Sequence, residues 1–196
     1  AAIILMAIDH SGAGILENFV LNIWGRSPMG YHFAEQWETI FAVDGVLRMI
    51  GRPAFPIFCF LLVEGFCHTH DVKKYAVRLG IFALVSEIPF DLALWNQVPD
   101  WQYQNVFFTL LIGLLAMLAV RRYGTNTALK VLILAAGAVL AEFLHTDYGA
   151  FGVLFIGILY LLRDNRKWQC IVGAACCLWE LTAPLAFLLI WLSLIH

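Results

Sequence analysis

Asp9 and His10 lie inside the apolar run AAIILMAIDHSGAGILENFVLNIW, where an acid and an imidazole have no bulk water around them. A charge at the centre of a bilayer costs about 2.5–3.5 kcal/mol on insertion scales, so such residues pair, face a cavity or do chemistry. An imidazole with an unperturbed pKa of about 6.5 is a general base near working pH, which makes His10 the candidate base. Adjacent helical residues point about 100° apart, so Asp9 is expected to partner another helix rather than His10. Arg48 and Arg52 are four apart, as are Glu87 and Asp91, and each pair shares a helix face. These faces sit on successive segments joined by a short connection, and an ion pair from Arg52 to Glu87 or Asp91 is expected. Such a pair also serves purely to pin two helices together. Asn105 adds an amide at similar depth. Further along the chain Glu64 and His68 share a face and are followed by His70, Asp71, Lys73 and Lys74, a group suited to an anion. Cys67, His68 and His70 are read as an interfacial segment rather than a zinc site, and no metal is expected.

The elements that must position these groups are membrane helices. The 196-residue chain is 62% hydrophobic and 13% charged, against roughly a quarter charged in soluble domains. The apolarity recurs along the whole length, which a single leader or anchor would not produce. The fold class expected is all-α and polytopic, with helices because lipid offers backbone groups no partner. Segments near the ~20 residues that cross a ~30 Å hydrocarbon core run Ala1 to Trp24, Val46 to Cys67, Tyr75 to Trp95, Asn105 to Val120, Thr127 to Leu144, Tyr148 to Leu162, Trp168 to Leu181 and Ala183 to His196. The expectation is one domain over 1–196, a bundle of about eight spans cut at both ends. Pro53, Pro56 and Pro89 remove backbone donors and are expected to break helices along a cavity.

Lysine and arginine fall into alternate connections: Lys73, Lys74 and Arg78; Arg121, Arg122 and Lys130; Arg163, Arg166 and Lys167. Cytoplasmic loops keep this excess, so the start of the first segment is expected on the cytoplasmic side of the membrane. Arg48, Arg52, Glu87, Asp91, Asn105, Glu142, His145, Asp147 and Glu180 then fall in the outer half. The formal net charge of −2 gives no reason to expect nucleic acid, and the five cysteines contain no CxxC pair and are read as reduced.

The strings DHSGAG, GRPAFPIFCFLLVEGFCHT, RLGIFALVSEIPFD, QNVFFTLLIGLL and HTDYGAFGVL, in this order, resemble the TraX family of conjugal-transfer membrane proteins. FPIFCFLLVEG is also similar to a helix of the wider transmembrane acyltransferase group. The resemblance implies N-terminal acetylation of a pilin, with acetyl-CoA as donor and an acceptor amine or hydroxyl on a pilin-like peptide or glycan beyond the outer face. On that pattern His10 is the base, with His32 in the outer loop as a rival. Asp9, Arg52, Glu87, Asp91 and Asn105 would line the reaction cavity, and Arg52 or Asn105 would donate to the oxyanion. Glu64, His68, Lys73, Lys74, Arg121, Arg122, Arg163 and Arg166 would hold the CoA phosphates. Two other readings stay open. Intramembrane Asp, Glu and His also mark proton-coupled transporters, although no paired broken helices are visible. The charges would equally serve packing in a structural component of a conjugation or secretion machine.

Overall fold

In the computed structural model the described residues are 53–94 and 103–179, preceded by helical positions at Ile4, Met6, Val43, Val46, Leu47, Ile50 and Gly51. The named helices, in chain order, are α1 (Ala54–His68), α2 (Val72–Leu94), α3 (Val106–Tyr123), α4 (Thr127–Phe143), α5 (Gly149–Leu161) and α6 (Arg166–Trp179). The architecture among the described residues is all-helical, with Gln104 and Thr146 making an isolated bridge. Most of the first segment, all of the eighth, and Asp9, His10, His32, Arg48 and Arg52 lie outside the described residues.

Helix limits follow local chemistry. Pro53 stands at the N-cap of α1 and Pro56 falls within its first turn, where a missing N–H costs no intrahelical bond. Pro56 therefore breaks nothing. Pro89 also differs from expectation, because α2 runs through it to Leu94. The carbonyl it leaves without a helical donor belongs to Val85, on an outward face of α2. Asn105 caps α3, its side-chain oxygen accepting from Phe107 N–H at 2.9 Å, and Asn126 caps α4 by accepting from Leu129 N–H at 2.8 Å. Arg121 and Arg122 close α3, the end at which the helix dipole favours cations.

Helix α3 is the centre, packed against α1, α2, α4 and α5, while α6 leans on α5. Phe55, Cys59, Val63 and Phe66 of α1 meet Leu110, Leu114 and Met117 of α3 and Phe155, Ile156 and Leu159 of α5 in one buried cluster. Close approach depends on small residues, as in membrane helix pairs generally. A Cβ at Gly152 would come within 2.5 Å of Thr109 Cγ2 and 3.0 Å of Phe55 Cζ.

Among the described residues one helix, α3, is long and apolar enough to cross a membrane alone; α1 and α5 are apolar but shorter. Helix α2 has 23 residues but is diluted by Lys73, Lys74, Arg78, Glu87 and Asp91. Large apolar side chains nevertheless point outward from it: Val77, Ile81, Phe82, Leu84, Val85 and Ile88 are 55–66% exposed. Val131, Leu132, Val139 and Phe143 do the same on α4, at 58–77%.

Two polar clusters at opposite ends of the bundle

The up-and-down order of the helices sends the connections alternately to two ends. The α2–α3 and α4–α5 connections share one end, and the chemistry there centres on Asn105, which is 3% exposed. Its amide nitrogen donates to a Glu87 carboxylate oxygen and to Ala83 O at 2.8 Å, while its backbone N–H reaches the same Glu87 oxygen at 3.2 Å. Both amide protons are thus engaged within the protein. Glu87 meets Asn105 here; the expected pairing of Arg52 with Glu87 or Asp91 involves a residue outside the described ones. Asp91, one turn further along α2, is 1% exposed.

The α4–α5 turn completes this end. Gln104 N–H donates to His145 O at 3.0 Å and Asp147 N–H to Gln104 O at 2.8 Å, which ties the turn to the start of α3. Tyr103 donates its hydroxyl to Asp147 Oδ1 at 3.0 Å. The buried Thr109 hydroxyl contacts Thr146 Oγ1 at 3.1 Å and donates to the Asp147 carbonyl. His145 and Tyr148 have φ of 49° and 62° and Gly149 has 39°, positive values uncommon outside glycine. The Tyr148 ring lies on Phe55 with centroids 3.6 Å apart and planes within 3°. A Cβ at Gly149 would meet Glu142 Oε2 at 2.6 Å, and that oxygen accepts from Ala150 N–H at 3.1 Å. Beside the turn is a small cavity of ≈ 30 Å³ bordered by Gly51, Phe58, Val106 and Asp147.

The other end gathers the basic connections. Arg166 reaches across 102 positions to Glu64, at 3.1 and 3.4 Å through its two terminal nitrogens. It also donates to Gln169 Oε1 at 3.2 Å, and Gln169, 1% exposed, donates to Leu159 O at 2.9 Å. His68 Nδ1 contacts Glu64 O at 2.9 Å. Arg121 lies over the Phe66 ring at 4.4 Å, and Arg163 and Arg121 are both in electrostatic range of Cys67. Lys74 pairs with Asp71 at 3.4 Å. Two hydrogen bonds from the Lys74 side of the turn, led by its backbone N–H at 3.0 Å, hold the Asp71 carboxyl below the usual aspartate range. Three basic connections, separate in sequence, therefore meet at one end of the bundle.

Of the residues singled out in the sequence, the structure joins Glu87 with Asn105, and Glu64 with His68 and Arg166. It places Lys73 and Lys74 at the same end as Arg121, Arg163 and Arg166, while Arg122 lies 5.7 Å from the ring of Tyr123. Thr109, Thr146, Tyr103 and Gln169 were not singled out. Polar residues inside apolar runs at 109 and 169 are the only local sign of them. Among the described residues no three His, Cys, Asp or Glu side chains converge on a metal position.

A family model described as TraX protein matches residues 1–193. The chain belongs to the TraX family. This TraX-family chain is 34% identical over 178 residues to the "Probable fimbrial assembly protein FimC, serogroup H1" of Dichelobacter nodosus; the alignment covers 87% of the chain and 63% of that relative. The chain thus spans less than two thirds of the relative's length. No solved structure matches it.

Proposed function

We propose that this chain is a multi-pass component of a bacterial inner membrane that serves assembly of a fimbria, pilus or conjugation apparatus. The observation that carries the membrane reading is the outward apolar face of α2 and α4. In water these rows of exposed large apolar side chains would be unfavourable, whereas in lipid they are ordinary. Helices shorter than the bilayer core are accommodated by tilt and local thinning, so α1 and α5 join α3 as spans and the eight-segment bundle remains the proposed topology. The basic end faces the cytoplasm. The task comes from kinship with a protein described as a probable fimbrial assembly protein. Deleting the gene in its own host and counting surface filaments by electron microscopy tests it. Loss of filaments, restored by a plasmid copy, is expected; an unchanged filament number rejects the reading.

A second reading is favoured by the separation of the two clusters, one basic and one built on a carboxylate, an amide and hydroxyls. In it the bundle moves an acetyl group from cytoplasmic acetyl-CoA to an amine or hydroxyl of the assembled subunit at the outer face. The acceptor attacks the thioester carbonyl, His10 takes its proton, and CoA leaves as a thiolate that is reprotonated. Arg121, Arg163, Lys73 and Lys74 supply charge for the CoA phosphates, whereas Arg166 is already held by Glu64. Isothermal titration of acetyl-CoA into purified protein should show binding that weakens with salt. His10→Ala should retain that binding and lose transfer, with His32→Ala mild. Absence of binding removes this reading and leaves the assembly role standing.

A further inference from the structure

Between the end of α1 and the start of α2 the structure has an open groove of ≈ 490 Å³, bordered by Gly65, His70, Asp71, Lys74, Tyr75 and Arg78. Its floor is made possible by Gly65, where an added Cβ would lie 3.0 Å from the Tyr75 hydroxyl. Lys74 and Arg78 are one turn apart on α2 and both are exposed. Lys74 answers Asp71, but Arg78 makes no ion pair with a described residue, so the groove keeps a net cationic character even with His70 neutral.

The same helix face continues below these cations. Lys74, Arg78, Ile81 and Val85 follow one another at spacings of four, three and four, which puts them in a single stripe. Ile81 and Val85 are among the outward apolar residues of α2. The stripe is thus cationic where the bundle end meets water and apolar where it would meet acyl chains, complementary in order to a phospholipid with a negative headgroup. Basic pockets beside membrane helices on the cytoplasmic side hold anionic headgroups by the same logic.

Resting on the membrane reading above, we infer that this groove is a binding site for an anionic phospholipid of the cytoplasmic leaflet, its phosphodiester between Lys74 and Arg78 and one acyl chain along Ile81 and Val85. Such a lipid would fix the α1–α2 hairpin at the membrane surface and supply the negative partner that Arg78 lacks within the described residues.

The test is native mass spectrometry of the detergent-purified protein with added phosphatidylglycerol or phosphatidylcholine. Phosphatidylglycerol should be retained in preference to phosphatidylcholine. Lys74→Gln and Arg78→Gln should each lower that retention about fivefold, while Lys130→Gln on the α3–α4 side leaves it unchanged. Equal retention of both lipids, or equal retention by wild type and the double variant, would overturn the site. Displacement by millimolar inorganic phosphate would also overturn it, since the groove would then be a free-anion site. Alkaline carbonate extraction of the membranes keeps the two claims apart. Protein released by carbonate would defeat the membrane reading itself, whereas protein that resists carbonate yet shows no lipid preference defeats only the lipid site.

Discussion

Asn105 does three jobs with one side chain: it caps α3, bonds the Ala83 carbonyl and donates to Glu87. Losing an N-cap costs about 0.5–2 kcal/mol, and leaving a buried acceptor unpaired costs about 1–3. Asn105→Ala should therefore lower stability in detergent by about 1–3 kcal/mol, read as a shift of the thermal unfolding midpoint. Asn105→Asp keeps the cap but sets a second carboxylate against Glu87, and should be at least as damaging. Variants that melt with wild type would show that this cluster does not hold α2 to α3. Asp71 makes a pH-dependent contribution at the other end. Its folded pKa is depressed, first by the Lys74 backbone N–H, so the stabilisation is present above the ordinary aspartate pKa of ~3.9 and is lost as pH falls through the lower folded value. An NMR titration of the Lys74 amide should show a midpoint below that of a free aspartate, and Asp71→Asn should remove the transition. A midpoint at or above the free value would contradict the hydrogen bonding described.

At the scale of helices, glycine decides how closely elements meet. Gly152 of α5 faces Thr109 and Phe55 with no room for a side chain, whereas a Cβ at Gly80 of α2 meets only Leu111 Cδ2, at an ordinary 3.7 Å. Gly152→Leu should cost about 1–3 kcal/mol by overpacking. Gly80→Ala should be neutral or stabilising by up to about 1 kcal/mol, because alanine is the better helix former. Thermal unfolding of the pair checks this, and equal melting would contradict the packing of α5 on α3. Among the described residues the sequence carried the helix positions well, because apolar runs between Asn or Pro and basic clusters mark where helices start and stop. It carried Pro89 poorly, since proline removes one bond without dictating whether flanking packing keeps the helix going. Asn105 was visible as a polar residue ahead of VFFTLLIGLL, but its engagement with Glu87 depends on how α2 and α3 align. The Glu64–Arg166 pair was invisible as a pair, because only tertiary folding brings α1 beside α6. Arg166 is 40% exposed in that contact, so its worth is that of a screened pair.

For the whole molecule, the two ends differ in chemistry and the sequence already separated them: alternate connections carried the cations, and the structure gathers those connections together. Glu87, Asn105, Asp147 and the turn at 145–149 occupy the opposite end. Both proposed roles, and the lipid site, require this polarity to be aligned across the membrane. The direct measurement is labelling with an impermeant thiol reagent in a cysteine-free background carrying single cysteines at exposed positions of each end. Tyr103→Cys and His145→Cys should label in intact spheroplasts, while Thr125→Cys and Asp164→Cys should label only after permeabilisation. If positions 125 and 145 label alike in intact spheroplasts, or label with the opposite preference, the membrane-spanning, basic-end-inward account is contradicted.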